Sequence, residues 1–414
     1  MNRIYLDNQS NTKMDERVFE FMKPFFLENY GNPQSAYAFG SISKDAVEEA
    51  RLCAANLINA KPAEIIFTSC ATESNNLALK GISAALKVQG RHIVISAIEH
   101  LSVTNAAKRL EKDGWSVSIV GVDKFGNIKQ DELKNALRDD TILVSIQYAN
   151  PEIGTIQNIK SLVEIVKNKN PKTIFHTDAV SACANIPIDV VDLDIDALSF
   201  SSSVIYGPKG AAALYLKQGT KIIPLFDGGT QENSKRSGSE NVPAIAGFGY
   251  ACKLAKEEMA KNAADMTLLR NKLISHLPKN IDNIYLNGAT ENRLPQNINF
   301  SIEFVEGEAL FLLCDAKGII AASGSACASK NLKLSPVLTA LNVDAALGQG
   351  SIIFTLSKYN TAQDIDFVLQ EFPNIVKRLR DMSPLYSYFL KTGKRKEAGP
   401  GTDYDDHHHD EEEE

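Results

Sequence analysis

Cys327 closes the run Ser323-Gly324-Ser325-Ala326-Cys327. The small residues before it read as a mobile loop, and a cysteine on such a loop is exposed and reactive when its thiolate is favoured. Such a thiolate is a nucleophile and a soft metal ligand. A leftover cysteine with no task is the plain alternative. The other five cysteines, at 53, 70, 183, 252 and 314, lie in apolar or helical contexts and read as small core residues. None of the six forms a CxxC pair, so neither a zinc site nor a disulfide framework is indicated. Thr72, at the start of a helix after Ser69-Cys70-Ala71, suits phosphate through its hydroxyl and the free N–H groups of the first turn. Simple capping explains it equally well. At the far end stand His407, His408 and His409, flanked by acids. Imidazoles with carboxylates make a weak Zn²⁺, Ni²⁺ or Cu²⁺ binder, weak because a flexible chain has no preformed geometry. A solvated acidic tail is the competing reading.

These residues need a scaffold, and the apolar pattern supplies one. Short apolar runs at 65–67, 92–95, 117–120, 142–146, 174–176 and 197–200 read as buried strands. Helical patterns at 73–89, 102–113, 130–138 and 158–168 fall between them. Alternating β and α units predict a mostly parallel sheet covered on both faces, with sites at the strand ends. From about 253 a long helix begins. Strands follow near 297–303 and 350–356, with helices near 307–315 and 361–380. The expected division is a large α/β domain over 13–250 and a smaller α+β domain from 1–12 with 251–390. The segment 391–414 is expected to be a disordered tail, because it lacks apolar periodicity.

The bulk properties exclude several classes. The chain has 414 residues, 44% hydrophobic and 23% charged, as in ordinary soluble proteins. No apolar run is long enough to span a bilayer. No signal-peptide pattern precedes the first strand. The eight acids of 401–414 account for the net charge of −7, leaving the remainder at +1. There is no basic patch for nucleic acid. With no disulfide framework, a cytoplasmic, reducing location is expected.

Longer motifs carry a resemblance. They include Gly31-Asn32-Pro33-Gln34-Ser35, Phe67-Thr68-Ser69-Cys70-Ala71-Thr72-Glu73-Ser74-Asn75-Asn76, and Glu99-His100. Glu152-Ile153-Gly154, His176-Thr177-Asp178-Ala179 and Arg236-Ser237-Gly238-Ser239-Glu240-Asn241 follow at family spacing, ahead of the Cys327 loop. From about residue 3 to 380 the chain resembles the cysteine desulfurases, the NifS/IscS branch of the class V aminotransferases. The resemblance implies fold type I of the pyridoxal phosphate (PLP) enzymes, aspartate aminotransferase-like, and a homodimer. It implies an IscU-type scaffold or another sulfur acceptor as partner, docking near the cysteine loop and the C-terminal region. It also implies roles. Asp178 would meet the pyridine nitrogen and His100 would stack on the ring. Thr72, Ser201 and, from the other subunit, Ser239 would hold the phosphate. Cys327 would carry the persulfide.

The chain also departs from the family pattern. In Ser199-Phe200-Ser201-Ser202-Ser203-Val204-Ile205-Tyr206-Gly207-Pro208-Lys209-Gly210, Val204 stands where the family has its Schiff-base lysine, and Ser203 where it has histidine. Ser181 replaces a glutamine, Pro151 an asparagine, and Tyr37 a histidine that many members carry. Ile353 replaces the arginine that clamps the substrate carboxylate by a planar, bidentate fork. Valine cannot form an imine, so covalent PLP is not expected. Three functions remain open. The first is a degenerate desulfurase serving as sulfur relay or scaffold partner in Fe–S or thio-cofactor assembly, with Cys327 able to hold a cluster. The second is an active PLP-dependent cysteine desulfurase, and the third a metal or metabolite sensor.

Overall fold

The structure is a computed structural model that describes residues 3–323 and 334–395. Cys327 and His407 to His409 therefore lie outside the described residues. Twelve strands are present among the described residues: β1 (Ile4–Tyr5), β2 (Ile65–Thr68), β3 (His92–Ser96), β4 (Ser116–Val120), β5 (Thr141–Ser145), β6 (Ile174–Asp178), β7 (Ala197–Ser201), β8 (Ala212–Leu216), β9 (Ile284–Leu286), β10 (Asn297–Ile302), β11 (Ile319–Ile320) and β12 (Ser351–Thr355).

Seven of them form one sheet in the order β2-β8-β7-β6-β5-β3-β4. β4, β3, β5, β6 and β7 pair in parallel. β8 runs antiparallel to both β2 and β7. Successive side chains of a strand face opposite sides, and both sides are covered. Phe67, Val94, Val144 and Phe175 join one core with Val47, Ala54, Leu162 and Phe248 from helices. Ile66, Ile93, Ile95 and Leu143 join a second core with Leu86, Val103 and Leu110. This is the mixed, mostly parallel α/β architecture of PLP fold type I.

Three sequence readings need correction here. β4 is an edge strand, so Ile119 is 65% exposed rather than buried. The long helix starts at Val242, not near 253, because Pro243 falls in the first turn, where its missing N–H costs no hydrogen bond. The last helix, Pro384–Thr392, carries order past residue 391 and ends at Gly393 in the left-handed conformation (φ 67°).

The 39-residue helix Val242–Asn280 ties two cores together. Its first half, with Phe248 and Cys252, belongs to the large-sheet core. Its second half, with Leu273 and Leu277, packs with β10, β12 and the helices Gly307–Ala316 and Ala362–Met382. β9, β10 and β12 form an antiparallel sheet, and β1 pairs with β11 nearby. Among the described residues no helix is long and apolar enough to cross a membrane.

Candidate functional site

The ends of the parallel strands bring four of the expected residues to one edge of the large sheet. Asp178 is the last residue of β6, and Ser201 the last of β7. His100 follows β3 and caps the helix Leu101–Lys112. Thr72 lies in the first turn of the helix Ala71–Asn76, after β2.

Local hydrogen bonds fix their arrangement. Asn75 Nδ2 donates to Asp178 Oδ2 at 2.7 Å and to Ser102 Oγ at 2.8 Å. The Val180 amide donates to Asp178 Oδ1 at 3.0 Å. Ser102 in turn meets His100 Nδ1 at 2.7 Å, and its amide donates to the same nitrogen at 3.1 Å. Asn75 and Ser102 thus join the Asp178 carboxylate to the His100 ring, which stays exposed. Sequence reasoning singles out neither linking residue. Asn75 lies inside a motif that carries the resemblance, at the position where the family pattern is variable, and that is the one available signal.

On the phosphate side, Thr72 is exposed. Glu73 accepts from the Ser69 amide at 2.8 Å and from Arg236 Nε at 2.9 Å. These contacts hold its carboxyl below its ordinary value against burial, the largest single influence. Ser201 Oγ pairs with Ser203 Oγ at 3.1 Å, so Ser203 turns inward as a polar neighbour. Ser239 is exposed and shares a cleft with Ser69 and Arg236.

Three of the family departures meet in one place. Val204, Pro151 and Ser181 line a single cavity together with Asn8, Gln9 and Gln296. Among the described residues no charged side chain lines it. The N-terminal segment closes one wall. The Thr12 amide donates to the Ser203 carbonyl at 2.9 Å, and the Tyr206 amide donates to Thr12 Oγ1 at 2.9 Å. Ile353 is buried in β12, opposite Asn299.

Among the described residues no nearby lysine stands in for the missing one. Lys209 is exposed. Lys358 Nζ is bound to Asp15 at 2.6 Å and to Glu258 at 3.3 Å, and lies over the Tyr206 ring. Two buried titratable groups sit beneath the site. Burial pushes Glu99 up to about 8, with the charge of Asp178 adding, while bonds from Ser96 and the Gln147 amide oppose it. Burial pushes His176 down to about 3, and it bridges Ser145 and Ser199 as a neutral ring.

The cysteines need one correction. Cys183, Cys252 and Cys314 are buried, and burial raises all three thiols. Cys70, read from sequence as a core residue, is exposed at the N-cap of the helix Ala71–Asn76. The turn between β2 and that helix faces outward, which local apolarity could not reveal. Among the described residues no group of His, Cys, Asp and Glu could hold a metal ion.

Comparison with known proteins agrees with this geometry. Residues 4–368 match the family described as Aminotransferase class-V. A protein of Dictyoglomus turgidum named Cysteine desulfurase IscS is 48% identical over 392 residues, covering 95% of this chain and 99% of that protein. A protein of the same name from Methanosarcina thermophila is 48% identical over 382 residues, covering 92% and 94%. The solved structure of a NifS-like protein superposes with a TM-score of 0.86 at 38% identity, covering 91% of this chain and 100% of that one. PLP is the cofactor expected of such proteins. The chain belongs to the class V aminotransferases, in the NifS/IscS cysteine desulfurase family.

Proposed function

We propose that this chain is a cysteine desulfurase homologue that does not itself take sulfur from cysteine, and that it works as a sulfur acceptor and relay through Cys327. The observation that carries the reading is Val204. It stands at the lysine position, and among the described residues the cavity it lines with Pro151 and Ser181 contains no amine. Identity of 48% to proteins named cysteine desulfurase supports the family and, taken alone, favours an active enzyme. The chemistry of the donor set weighs against that, because a valine side chain has no nitrogen to form an imine or move a proton.

The residues present fit PLP only in part. Asp178, held by Asn75 and the Val180 amide, offers a carboxylate for a ring nitrogen. His100 offers an exposed face. Thr72, Ser201 and Ser239 are phosphate-side hydroxyls by family resemblance. None of the residues that line the cavity fits a covalent link, so no reaction step is assigned to the cofactor.

The relay step needs only a thiolate and a donor persulfide. The Cys327 thiolate attacks the outer sulfur of a protein persulfide. A new S–S bond forms at Cys327 as the donor's S–S bond breaks, and the donor leaves as a thiolate. The persulfide proton stays with the transferred sulfur, and no net oxidation occurs. A scaffold protein is the natural next acceptor. Ligation of a nascent Fe–S cluster by the same thiolate is the related use. The protein is taken to act as a homodimer in a reducing compartment.

The test is borohydride treatment of protein purified from PLP-supplied cells, followed by intact-mass measurement and an alanine assay with cysteine. The proposal expects an unmodified mass and no alanine. A mass gain matching a reduced pyridoxyl-lysine, with alanine release, would establish the active enzyme instead.

A further inference from the structure

His100 is an uncommon helix cap, and the hydrogens around it can be assigned one by one. Cap positions favour Ser, Thr, Asp and Asn, whose side-chain oxygens accept an amide of the first turn. Here the ring nitrogen Nδ1 takes that role. The Ser102 amide donates to it at 3.1 Å, at the start of the helix Leu101–Lys112. A backbone amide only donates, so Nδ1 carries no proton. Ser102 Oγ lies 2.7 Å from the same nitrogen, and a bare Nδ1 obliges that hydroxyl to donate as well. The one ring proton is therefore on Nε2. The His100 side chain that carries it is exposed.

The direction of the Ser102 hydroxyl is set from deeper in the site. Asn75 Nδ2 gives one hydrogen to Ser102 Oγ at 2.8 Å and the other to Asp178 Oδ2 at 2.7 Å. The Val180 amide donates to Asp178 Oδ1 at 3.0 Å, so the carboxylate is held at both oxygens. Turned over, the Asn75 amide would set its oxygen against that carboxylate. The amide keeps its nitrogen towards Asp178 although its own Oδ1 is buried with no partner among the described residues. The bond to a carboxylate offsets that loss. Asn75 and Ser102 are both buried, so water does not compete for these contacts. Asp178 orients the amide, the amide orients the hydroxyl, and the hydroxyl orients the ring.

We propose that Asn75 and Ser102 are positioning residues that hold His100 as a neutral Nε2–H donor, which gives a hydrogen bond to an acceptor oxygen of a molecule bound beside Asp178 and has no free lone pair to take a proton from it. The hydrogen assignment stands on the contacts alone. The choice of bound molecule rests on the reading of this sheet edge as a PLP-type site, and the oxygens that fit are phenolic or anionic ones such as a pyridoxyl phosphate carries. The consequence extends the loss at Val204. The cavity there contains no amine, and the imidazole of the site is engaged at its basic nitrogen.

The test is ring ¹⁵N NMR of the full chain carrying ¹⁵N-histidine, with His100→Gln used to assign the His100 resonances. Correlation to the ring protons separates a bare nitrogen from a protonated one, and a donated hydrogen bond moves a bare nitrogen upfield. His100 should show a bare Nδ1 and a protonated Nε2. Ser102→Ala removes one donor and should move Nδ1 downfield. Ser102→Thr keeps the hydroxyl and should leave Nδ1 close to its original position. Asn75→Leu should act in the same direction as Ser102→Ala, because the freed hydroxyl turns aside. Added pyridoxine phosphate, which has no aldehyde, should shift Nε2 while Nδ1 stays bare. A proton on Nδ1, with or without this probe, overturns the proposal, and so does an Nδ1 resonance that ignores Ser102→Ala. An Nε2 resonance that ignores the probe overturns the assigned ligand. None of these results bears on whether Cys327 accepts sulfur, so the two readings fail separately.

Discussion

Removing the Glu232 carboxylate should be among the most damaging single changes in the large-sheet core. Arg51 donates to Glu232 twice, at 2.7 and 2.9 Å, and the Phe67 amide donates to it at 2.9 Å. The Arg51 side chain is 9% exposed and that of Glu232 is 2%. Arg51 also reaches the Ile65 carbonyl at 2.9 Å, so the pair clamps the loop of Glu232 onto β2. The clamp also restrains a strained backbone, since Glu232, Asn233 and Ser234 are three successive non-glycine residues with positive φ (48°, 54° and 62°). Glu232→Ala leaves the buried guanidinium with only the Ile65 carbonyl and, at 3.3 Å, the exposed Glu48 carboxylate as partners, a change that costs about 3–5 kcal/mol. The double variant Arg51→Met, Glu232→Leu removes both charges and leaves mainly the Phe67 amide unpaired, a loss of about 1–3 kcal/mol. Urea denaturation of both variants should therefore show the double change as the milder one. A Glu232→Ala loss under about 1 kcal/mol, well below the range for a broken buried pair, or a double variant worse than the single, would refute the account of this pair.

Three further outcomes follow from the same structure. Glu99 and Glu152 have values raised by burial, so the folded state holds protons that the unfolded chain releases. Their contribution is full below the ordinary carboxyl value and is lost as pH rises towards about 8, so Glu99→Gln should flatten the stability profile across that window in a pH series of denaturation curves. In site-resolved alkylation, Cys70 and Cys327 should react well before Cys183, Cys252 and Cys314, whose burial both blocks access and raises the thiols. At Gly249 an added Cβ would collide with the Ala50 Cα, so Gly249→Ala should destabilise by about 1–3 kcal/mol or more in thermal or urea unfolding.

The parallel strands were legible because each is a short, nearly continuous apolar run between helical patterns. β8 was not. It opens on Ala212 and Ala213, which follow Gly210 and Ala211 and give no strand signal. Only its last three residues, Leu214, Tyr215 and Leu216, are large, too short a run to stand out. Its antiparallel direction depends on where the chain turns after Val204, which no local period encodes. The helix Ala38–Ile58 gives little apolar period for a similar reason, since small residues such as Gly40, Ser43 and Ala54 form much of its buried face. Its end is marked by Asn59 in the left-handed conformation (φ 57°). The site residues Asp178, His100, Thr72 and Ser201 could be read because motifs carry them at strand ends. The contacts that support them could not. Asn75 with Asp178, Thr12 with Ser203, and Glu152 with Ser335 are separated by 103, 191 and 183 positions. Pairs of that kind are set by packing of the two cores, not by spacing along the chain.

The central claim is that Cys327 receives sulfur which this chain cannot generate. The most direct measurement is site-resolved mass spectrometry of Cys327 after incubation with cysteine and PLP, with and without an active cysteine desulfurase. The account predicts a gain of one sulfur atom at Cys327 only when the active enzyme is present, and none in Cys327→Ser. A persulfide at Cys327 formed from cysteine and PLP alone would contradict it, as would no sulfur at Cys327 under either condition.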